Sequence, residues 1–72
     1  MKIKPSDVKA GMQIRCRYLG DGTSFYTVQS ATVRPWIPGT SNDLIITVDG
    51  LLNRWGNPEH VFSLNTRIDL EN

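Results

Sequence analysis

Apolar and polar side chains alternate along several short stretches of this chain, and alternation with a period of two is typical of β-strands that bury one face. The clearest stretch runs from Met12 to Leu19. Four of its side chains are predicted to share one face: Met12, Ile14, Cys16 and Tyr18. Arg15 and Arg17 lie on the opposite face. This pattern predicts a mostly β protein.

The second apolar stretch, Phe25 to Arg34, changes phase midway. Its apolar residues fall on two faces that are out of step by one position: first Tyr26 and Val28, then Ala31 and Val33. A bulge at Gln29-Ser30 would turn both pairs toward the core, because an extra residue in one strand reverses the facing of those after it. The sequence therefore predicts one long, bent strand.

Three further strands are predicted at residues 44–48, 51–55 and 68–70. The Asp49-Gly50 dipeptide favours a tight type I′ hairpin between the first two, with a positive φ at Gly50. One helical turn is predicted near residues 5–11. A second is predicted at residues 57–63, where Asn57-Pro58-Glu59 has the pattern of a helix N-terminus.

The inward-facing positions of the strands define a predicted core. Its members are Ile14, Cys16, Tyr18, Val28, Val33, Leu44, Ile46, Val48, Leu51, Ile68 and Leu70. A chain of 72 residues has room for one modest core. Residues 1–72 are therefore expected to form a single domain.

This order of elements resembles the SH3-like β-barrel. The resemblance covers the chain from about Met12 to Leu70. It rests on five short strands, a long first connection, a tight hairpin between the third and fourth strands, and a helical turn before the fifth. It implies a small five-stranded barrel with one short helical turn before the last strand, acting as a binding module of open ligand class. The acidic first loop and paired tryptophans of peptide-binding SH3 domains are not recognisable, nor is the glycine-centred signature of KOW modules.

Composition narrows the protein class further. The apolar fraction of 39% and charged fraction of 21% are those of a globular protein. The longest apolar run, Leu44 to Ile46, is far short of the roughly 20 residues that cross a bilayer, so no membrane association is expected. Cys16 is the only cysteine and the N-terminus lacks a signal-peptide pattern, which together favour the cytoplasm.

Charge is uneven along the chain, although the net charge is only +1. Residues 1–36 carry six lysines and arginines against two acids, whereas residues 37–72 carry two against five. This asymmetry has two interpretations. The cations form a basic binding face, or they are neutralised by acidic residues on neighbouring strands. The second interpretation is favoured, with Arg15 and Arg17 pairing with Asp69 or Asp49.

The sequence offers little for catalysis or for cofactors. One histidine and one cysteine do not supply the three or four ligands of a transition-metal site. His60 and Ser63 would lie close together in the predicted helical turn, but a Ser/His pair without an orienting third group is common by chance, so His60 is interpreted as a surface or capping residue. No cofactor is expected, and the protein is predicted not to be an enzyme.

Protein recognition is the first functional prediction. Its predicted site is Arg34, Trp36 and Ile37, because tryptophan and arginine are enriched at interface hot spots and two prolines hold this loop. Trp36 could equally cover the open end of the barrel. The alternative is a nucleic-acid-binding SH3-like barrel that uses Lys2, Lys4, Arg15 and Arg17. The pI of 7.9 is below the value above about 9 that is typical of such domains.

A third surface, around Trp55, His60 and Phe62, is the one expected to act if neither of these sites does. The chain begins at Met and carries no linker. From this we expect a small bacterial or phage gene product, such as an inhibitor or accessory factor of a larger assembly. Neither the identity of a partner nor an oligomeric state follows from the sequence.

Overall fold

The computed structural model of the protein describes residues 1–71. Their backbone forms six strands and one 3₁₀ turn, at Pro5–Asp7. The strands are β1 (Lys2–Ile3), β2 (Gln13–Arg15), β3 (Tyr26–Pro35), β4 (Asn42–Val48), β5 (Glu59–Ser63) and β6 (Ile68–Leu70). The mostly β prediction is confirmed.

All six strands belong to one antiparallel sheet, in the order β1-β6-β2-β3-β4-β5. The last strand, β6, lies between the first two, pairing Ile68 with Ile3 on β1 and Leu70 with Ile14 on β2. Within residues 1–71 the outer strands β1 and β5 do not pair with each other. The sheet is therefore open and six-stranded, where the sequence predicted five strands in a closed barrel.

The bulge in β3 is confirmed. The pairing register of β3 with β4 shifts between Val28 and Ser30. Before the shift, the backbone of Val28 forms two hydrogen bonds with the segment that leads into β2. Its N–H donates to the Met12 carbonyl and its carbonyl accepts from the Gly11 N–H, both at 2.8 Å. After the shift, β3 pairs with β4 as far as Pro35. The long bent strand thus joins the two halves of the sheet.

One cluster of buried side chains forms the core. It contains Val8, Ile14, Cys16, Leu19, Val28, Leu44, Ile46, Val48, Phe62 and Ile68. Leu51 and Leu70 are partly buried and pack against it. Most of the predicted core is confirmed, and the sequence missed Val8, Leu19 and Phe62.

Two predicted core residues are exposed. Tyr18 is 72% exposed because β2 ends at Arg15, and the chain then turns, with the Leu19 N–H donating to the Cys16 carbonyl at 3.0 Å. The turn buries Leu19 in place of Tyr18. Val33 is 42% exposed although it pairs with the buried Leu44, since at that end of β3 its only paired neighbour is β4.

The segment after β4 differs most from the sequence-based prediction. Gly50 has a positive φ of 72°, as predicted, but Asp49 does not, so the turn has the φ signs of type II rather than type I′. Leu51 forms only an isolated bridge with Val48, and residues 52–58 form a loop instead of a strand. Residues 59–63, predicted as a helical turn, form β5, which pairs along β4.

Strand β4, which lies between β3 and the outer strand β5, is buried on both faces. Leu44 and Ile46 point into the core cluster, while Ile45 on the opposite face is only 3% exposed. Thr32 of β3 and Val61 of β5 are the cross-strand partners of Ile45.

None of the helical segments within residues 1–71 is long and apolar enough to cross a membrane.

Candidate binding groove

An open groove of about 910 Å³ lies beside β5. Residues 60–63 of that strand contribute to its lining, together with the β4–β5 loop. The rest comes from the β2–β3 loop at Tyr18 and Gly20, from Trp36 after β3, and from Thr66 after β5. Segments that are far apart in sequence therefore meet around the outer strand of the sheet.

Three exposed aromatic side chains line this groove, and each has an arginine beside its ring. The distances from the arginine Cζ to the ring centroid are 4.8 Å for Arg54 and Trp55, 5.6 Å for Arg17 and Tyr18, and 5.9 Å for Arg34 and Trp36. Such cation–π contacts stabilise exposed rings by about 0.5 to 1 kcal/mol. The groove thus presents aromatic surface bordered by positive charge.

The loop that carries Trp55 is organised by Asn53. The Asn53 Oδ1 accepts hydrogen bonds from the backbone N–H of Trp55 at 2.9 Å and of Asn57 at 3.0 Å. Its Nδ2 donates to the Glu59 carbonyl at 2.9 Å. Gly56 closes the loop with a positive φ of 81° and donates to the Asn53 carbonyl. One amide side chain therefore fixes the loop against the first residue of β5 and presents Trp55, which is 74% exposed.

The β2–β3 loop is held by Asp21. Its carboxylate accepts from the backbone N–H groups of Thr23 and Ser24 and from the Ser24 hydroxyl, each at 2.8 Å. These donors lower the pKa of Asp21 from 3.8 to about 2, with the Thr23 backbone N–H making the largest contribution. The Tyr26 hydroxyl accepts from the Asp21 N–H at 3.4 Å. Tyr18 and Gly20 therefore come from a loop with a defined shape.

The charge of the groove has one sign. Among the described residues that line it, Arg54 is an arginine and none is aspartate or glutamate. Glu59, the acidic residue of β5, forms an ion pair with Arg34, with Arg34 Nη2 3.4 Å from Glu59 Oε2. Electrostatics in the groove therefore favour an acidic ligand over a basic one.

The predicted protein site is divided by the structure. Trp36 lines the groove and is 39% exposed. Arg34 lies beside the Trp36 ring and pairs with Glu59, while Ile37 is 60% exposed in the β3–β4 turn, outside the groove lining. The structure thus brings Arg34 and Trp36 together and leaves Ile37 apart from the groove.

The cations of the predicted nucleic-acid site are spread over four segments: Lys2 is on β1, Lys4 follows β1, Arg15 is on β2 and Arg17 is in the following loop. Asp69 of β6 is the sheet partner of both Lys2 and Arg15, and its carboxylate lies 3.2 Å from the Arg15 guanidinium. The predicted cross-strand pairing of Arg15 with Asp69 is confirmed, and an acidic residue therefore lies between two of the four cations.

The candidate catalytic groups do not meet. His60 is 6% exposed, so the predicted surface position is wrong; its Nε2 donates to the Leu51 carbonyl at 3.1 Å. Ser63, three residues along the same strand, faces the opposite side of the sheet and accepts from the Asn65 N–H. Cys16 is 2% exposed. Within residues 1–71 no group of three or more His, Cys, Asp and Glu side chains could hold a metal ion.

The third surface named from the sequence, Trp55, His60 and Phe62, coincides with part of the groove lining. The sequence pattern does not indicate Asn53 and Arg54 as groove residues, because it predicts a strand at residues 51–55. The Gly-Asn-Pro sequence at residues 56–58 is the turn signal that could have indicated a loop.

Comparison of the chain with protein-family models, with curated proteins and with solved structures found no match. The functional proposal therefore rests on the groove itself.

Proposed function

We propose that the protein is a non-enzymatic binding module that recognises another protein through the groove beside β5. The observation that carries this proposal is the convergence of Tyr18, Trp36 and Trp55 on one concave surface. Tryptophan, tyrosine and arginine are the residues most enriched at the centres of protein interfaces. Rings held by ordered loops and by arginines also lose little conformational entropy when a ligand covers them.

The absence of an enzymatic role is part of the same proposal. The three groups best suited to nucleophilic or acid–base chemistry are Cys16, His60 and Ser63. The first two are buried, and the third faces away from His60. A groove whose lining is aromatic and amide-rich suits recognition better than bond cleavage.

We further propose that the fold is an open relative of the small SH3-like barrel and that it works in the cytoplasm, as an accessory or inhibitor protein of a bacterium or phage. The bulged β3, shared by the two halves of the sheet, supports the relationship to a barrel. The free, buried thiol of Cys16 agrees with a reducing compartment.

Single-stranded nucleic acid is the second candidate ligand. Exposed aromatic rings with adjacent guanidinium groups are what stacked bases and phosphates require, and the groove has both. The net charge of +1 and the Arg15–Asp69 ion pair favour the protein ligand.

Three variants test the proposal: Trp55→Ala, Trp36→Ala and Ile37→Ala. Binding is measured against a displayed peptide library and against a labelled oligonucleotide of mixed sequence, at two salt concentrations. Circular dichroism verifies that each variant folds. If the groove binds protein, both tryptophan variants lose about 2 kcal/mol or more of binding free energy while Ile37→Ala binds normally.

If Ile37→Ala and Trp36→Ala weaken binding and Trp55→Ala does not, the binding site is at the β3–β4 turn and not in the groove. Binding of the oligonucleotide alone, falling steeply with salt and weakened by the double change Arg15→Gln with Arg17→Gln, would reject protein recognition in favour of nucleic acid.

A further inference from the structure

One side of the β5 backbone faces away from β4 and, within residues 1–71, has no neighbouring strand. The Glu59 carbonyl accepts from Asn53 Nδ2 and the Ser63 carbonyl accepts from the Thr66 N–H at 3.0 Å, so both carbonyls point away from β4. Alternate residues of a strand direct their backbone groups to the same side. The N–H and carbonyl of Val61, midway between these two residues, therefore also point outward.

Neither backbone group of Val61 has a hydrogen-bond partner on this side among the described residues. Asn53 and Thr66 satisfy the carbonyls at the two ends of the strand, which leaves an opening centred on Val61. An edge of this kind is a template for another strand. In strand addition, main-chain hydrogen bonds supply affinity and flanking pockets select side chains.

The opening lies in the aromatic groove, since Val61 is among its lining residues. We infer that the outer edge of β5 accepts a short, extended, acidic segment of a partner protein, which adds to the sheet as a seventh strand beside Val61. This inference rests on the proposed function and gives it a binding mode and a ligand chemistry. Alternate side chains of the added strand would point toward the aromatic rings.

The charge of the groove favours an acidic segment as the added strand. Arg54 is in the groove lining, Arg17 stacks on the lining residue Tyr18, and no carboxylate is found among the described lining residues. An acidic segment supplies the missing counter-charge. A second copy of the chain, paired edge to edge, would instead bring two such grooves together without any counter-charge.

The test uses isotope-labelled protein and blocked pentapeptides. One peptide alternates aspartate and valine, a second replaces each aspartate by lysine, and a third is the aspartate peptide with its central amide N-methylated. Amide hydrogen exchange of Val61 and Phe62 is followed by NMR during titration. Phe62 is the internal control, because its backbone already faces β4.

We expect the aspartate peptide to bind at least about tenfold more tightly than the lysine peptide at low salt. We also expect it to slow exchange at the Val61 amide and to leave Phe62 unchanged. N-methylation removes one donor and is expected to weaken binding about fivefold to tenfold. Val61→Pro should weaken binding similarly, whereas Ile37→Ala, which lies outside the groove lining, should bind normally. If Val61→Pro does not fold, the N-methylated peptide still decides the question.

Three results would overturn the inference. Peptide binding that is sensitive to Trp55→Ala but gives no protection at Val61 would leave the proposed function standing and reject strand addition. Equal binding of the aspartate and lysine peptides would reject the acidic partner. Protection of Val61 that rises with protein concentration without peptide would assign the edge to a second copy.

Discussion

The guanidinium of Arg34 and the carboxylate of Glu59 are 3.4 Å apart, although β4 separates the strands that carry them. Arg34 pairs with Asp43 in the β3–β4 ladder, and Glu59 pairs with Thr47 in the β4–β5 ladder. Ile45 lies midway between Asp43 and Thr47 and on the same face of β4. The ion pair therefore crosses β4 above Ile45, which accounts for the burial of an isoleucine on the face opposite the core cluster.

Replacing Ile45 by alanine tests this second buried site. We expect Ile45→Ala to lower the free energy of unfolding by about 2 to 5 kcal/mol, similar to Ile46→Ala in the core cluster, because both side chains are nearly inaccessible. Urea denaturation of the two variants provides the comparison. A loss below about 1 kcal/mol for Ile45→Ala alone would show that its face contributes little packing.

The ion pair itself is expected to contribute little. The side chains of Arg34 and Glu59 are 46% and 37% exposed, so solvent screens their attraction. A double-mutant cycle with Arg34→Ala and Glu59→Ala should give a coupling free energy of about 0.2 to 1 kcal/mol. A much larger coupling would mean that the pair is held in a less solvated arrangement.

Two glycines should respond differently to substitution. Gly50 has a positive φ with open space where a Cβ would lie, so Gly50→Ala is expected to cost only the left-handed backbone strain of about 1 to 2 kcal/mol. Gly22 also has a positive φ, but a Cβ there would lie 2.7 Å from the Arg17 carbonyl oxygen. The melting temperature of Gly22→Ala should therefore be well below that of Gly50→Ala. Equal melting temperatures would contradict the close approach of residue 22 to the Arg17 carbonyl. Gly50→Val should also destabilise the fold.

Asn53 is predicted to act on binding through the loop. Asn53→Ala removes the acceptor of the Trp55 and Asn57 amides and the donor to Glu59. Amide exchange at these positions should accelerate, peptide affinity should fall and the melting temperature should drop, because each lost hydrogen bond contributes about 0.5 to 1.5 kcal/mol. Asn57→Ala is the matched control, because no hydrogen bond of its side chain is found within residues 1–71. Slow exchange in Asn53→Ala would refute the organising role.

The pH response of the β2–β3 loop follows from Asp21. The pKa of Asp21 is about 2 in the folded protein, below its ordinary value of 3.8. The Asp21 carboxylate therefore stabilises the loop fully above pH 3.8, and this contribution to stability is lost as the pH falls through about 2. A carboxyl NMR titration should show the low midpoint. In Ser24→Ala, which lacks one donor, the midpoint should rise toward 3.8; an unchanged midpoint would show that the hydroxyl has no role.

Local patterns were sufficient for part of the fold. Alternation located β2, β4 and β6, and the phase change in β3 located its bulge, because each signal is contained within one element. The strand β5 was missed since Asn57-Pro58-Glu59 has the residue types of a helix start. Its conformation is determined by pairing with β4, as between His60 and Ile46, and that information is not local.

The groove was harder to predict than the sheet. The sequence predicts Trp36 as a binding residue from its type and its loop, and it names Trp55 only in the surface expected to act if the two predicted sites do not. The alternating pattern predicts Tyr18 in the core because it continues beyond Arg15, but the strand ends at Arg15. Tyr18 and Trp55 line the same groove because of the paths of the β2–β3 and β4–β5 loops. The spacing of residues in the sequence does not reveal these paths.

The position of β6 between β1 and β2 has a consequence for folding kinetics. The β3-β4-β5 meander joins neighbours in sequence and needs only short loop closures, whereas Ile3 must find Ile68 across nearly the whole chain. β1 has no partner until β6 is in place. Folding should therefore be limited by this late insertion, on the millisecond-to-second timescale of sheets rich in non-local pairs. On a ribosome, the N-terminal strand would wait unpaired until the last strand emerged.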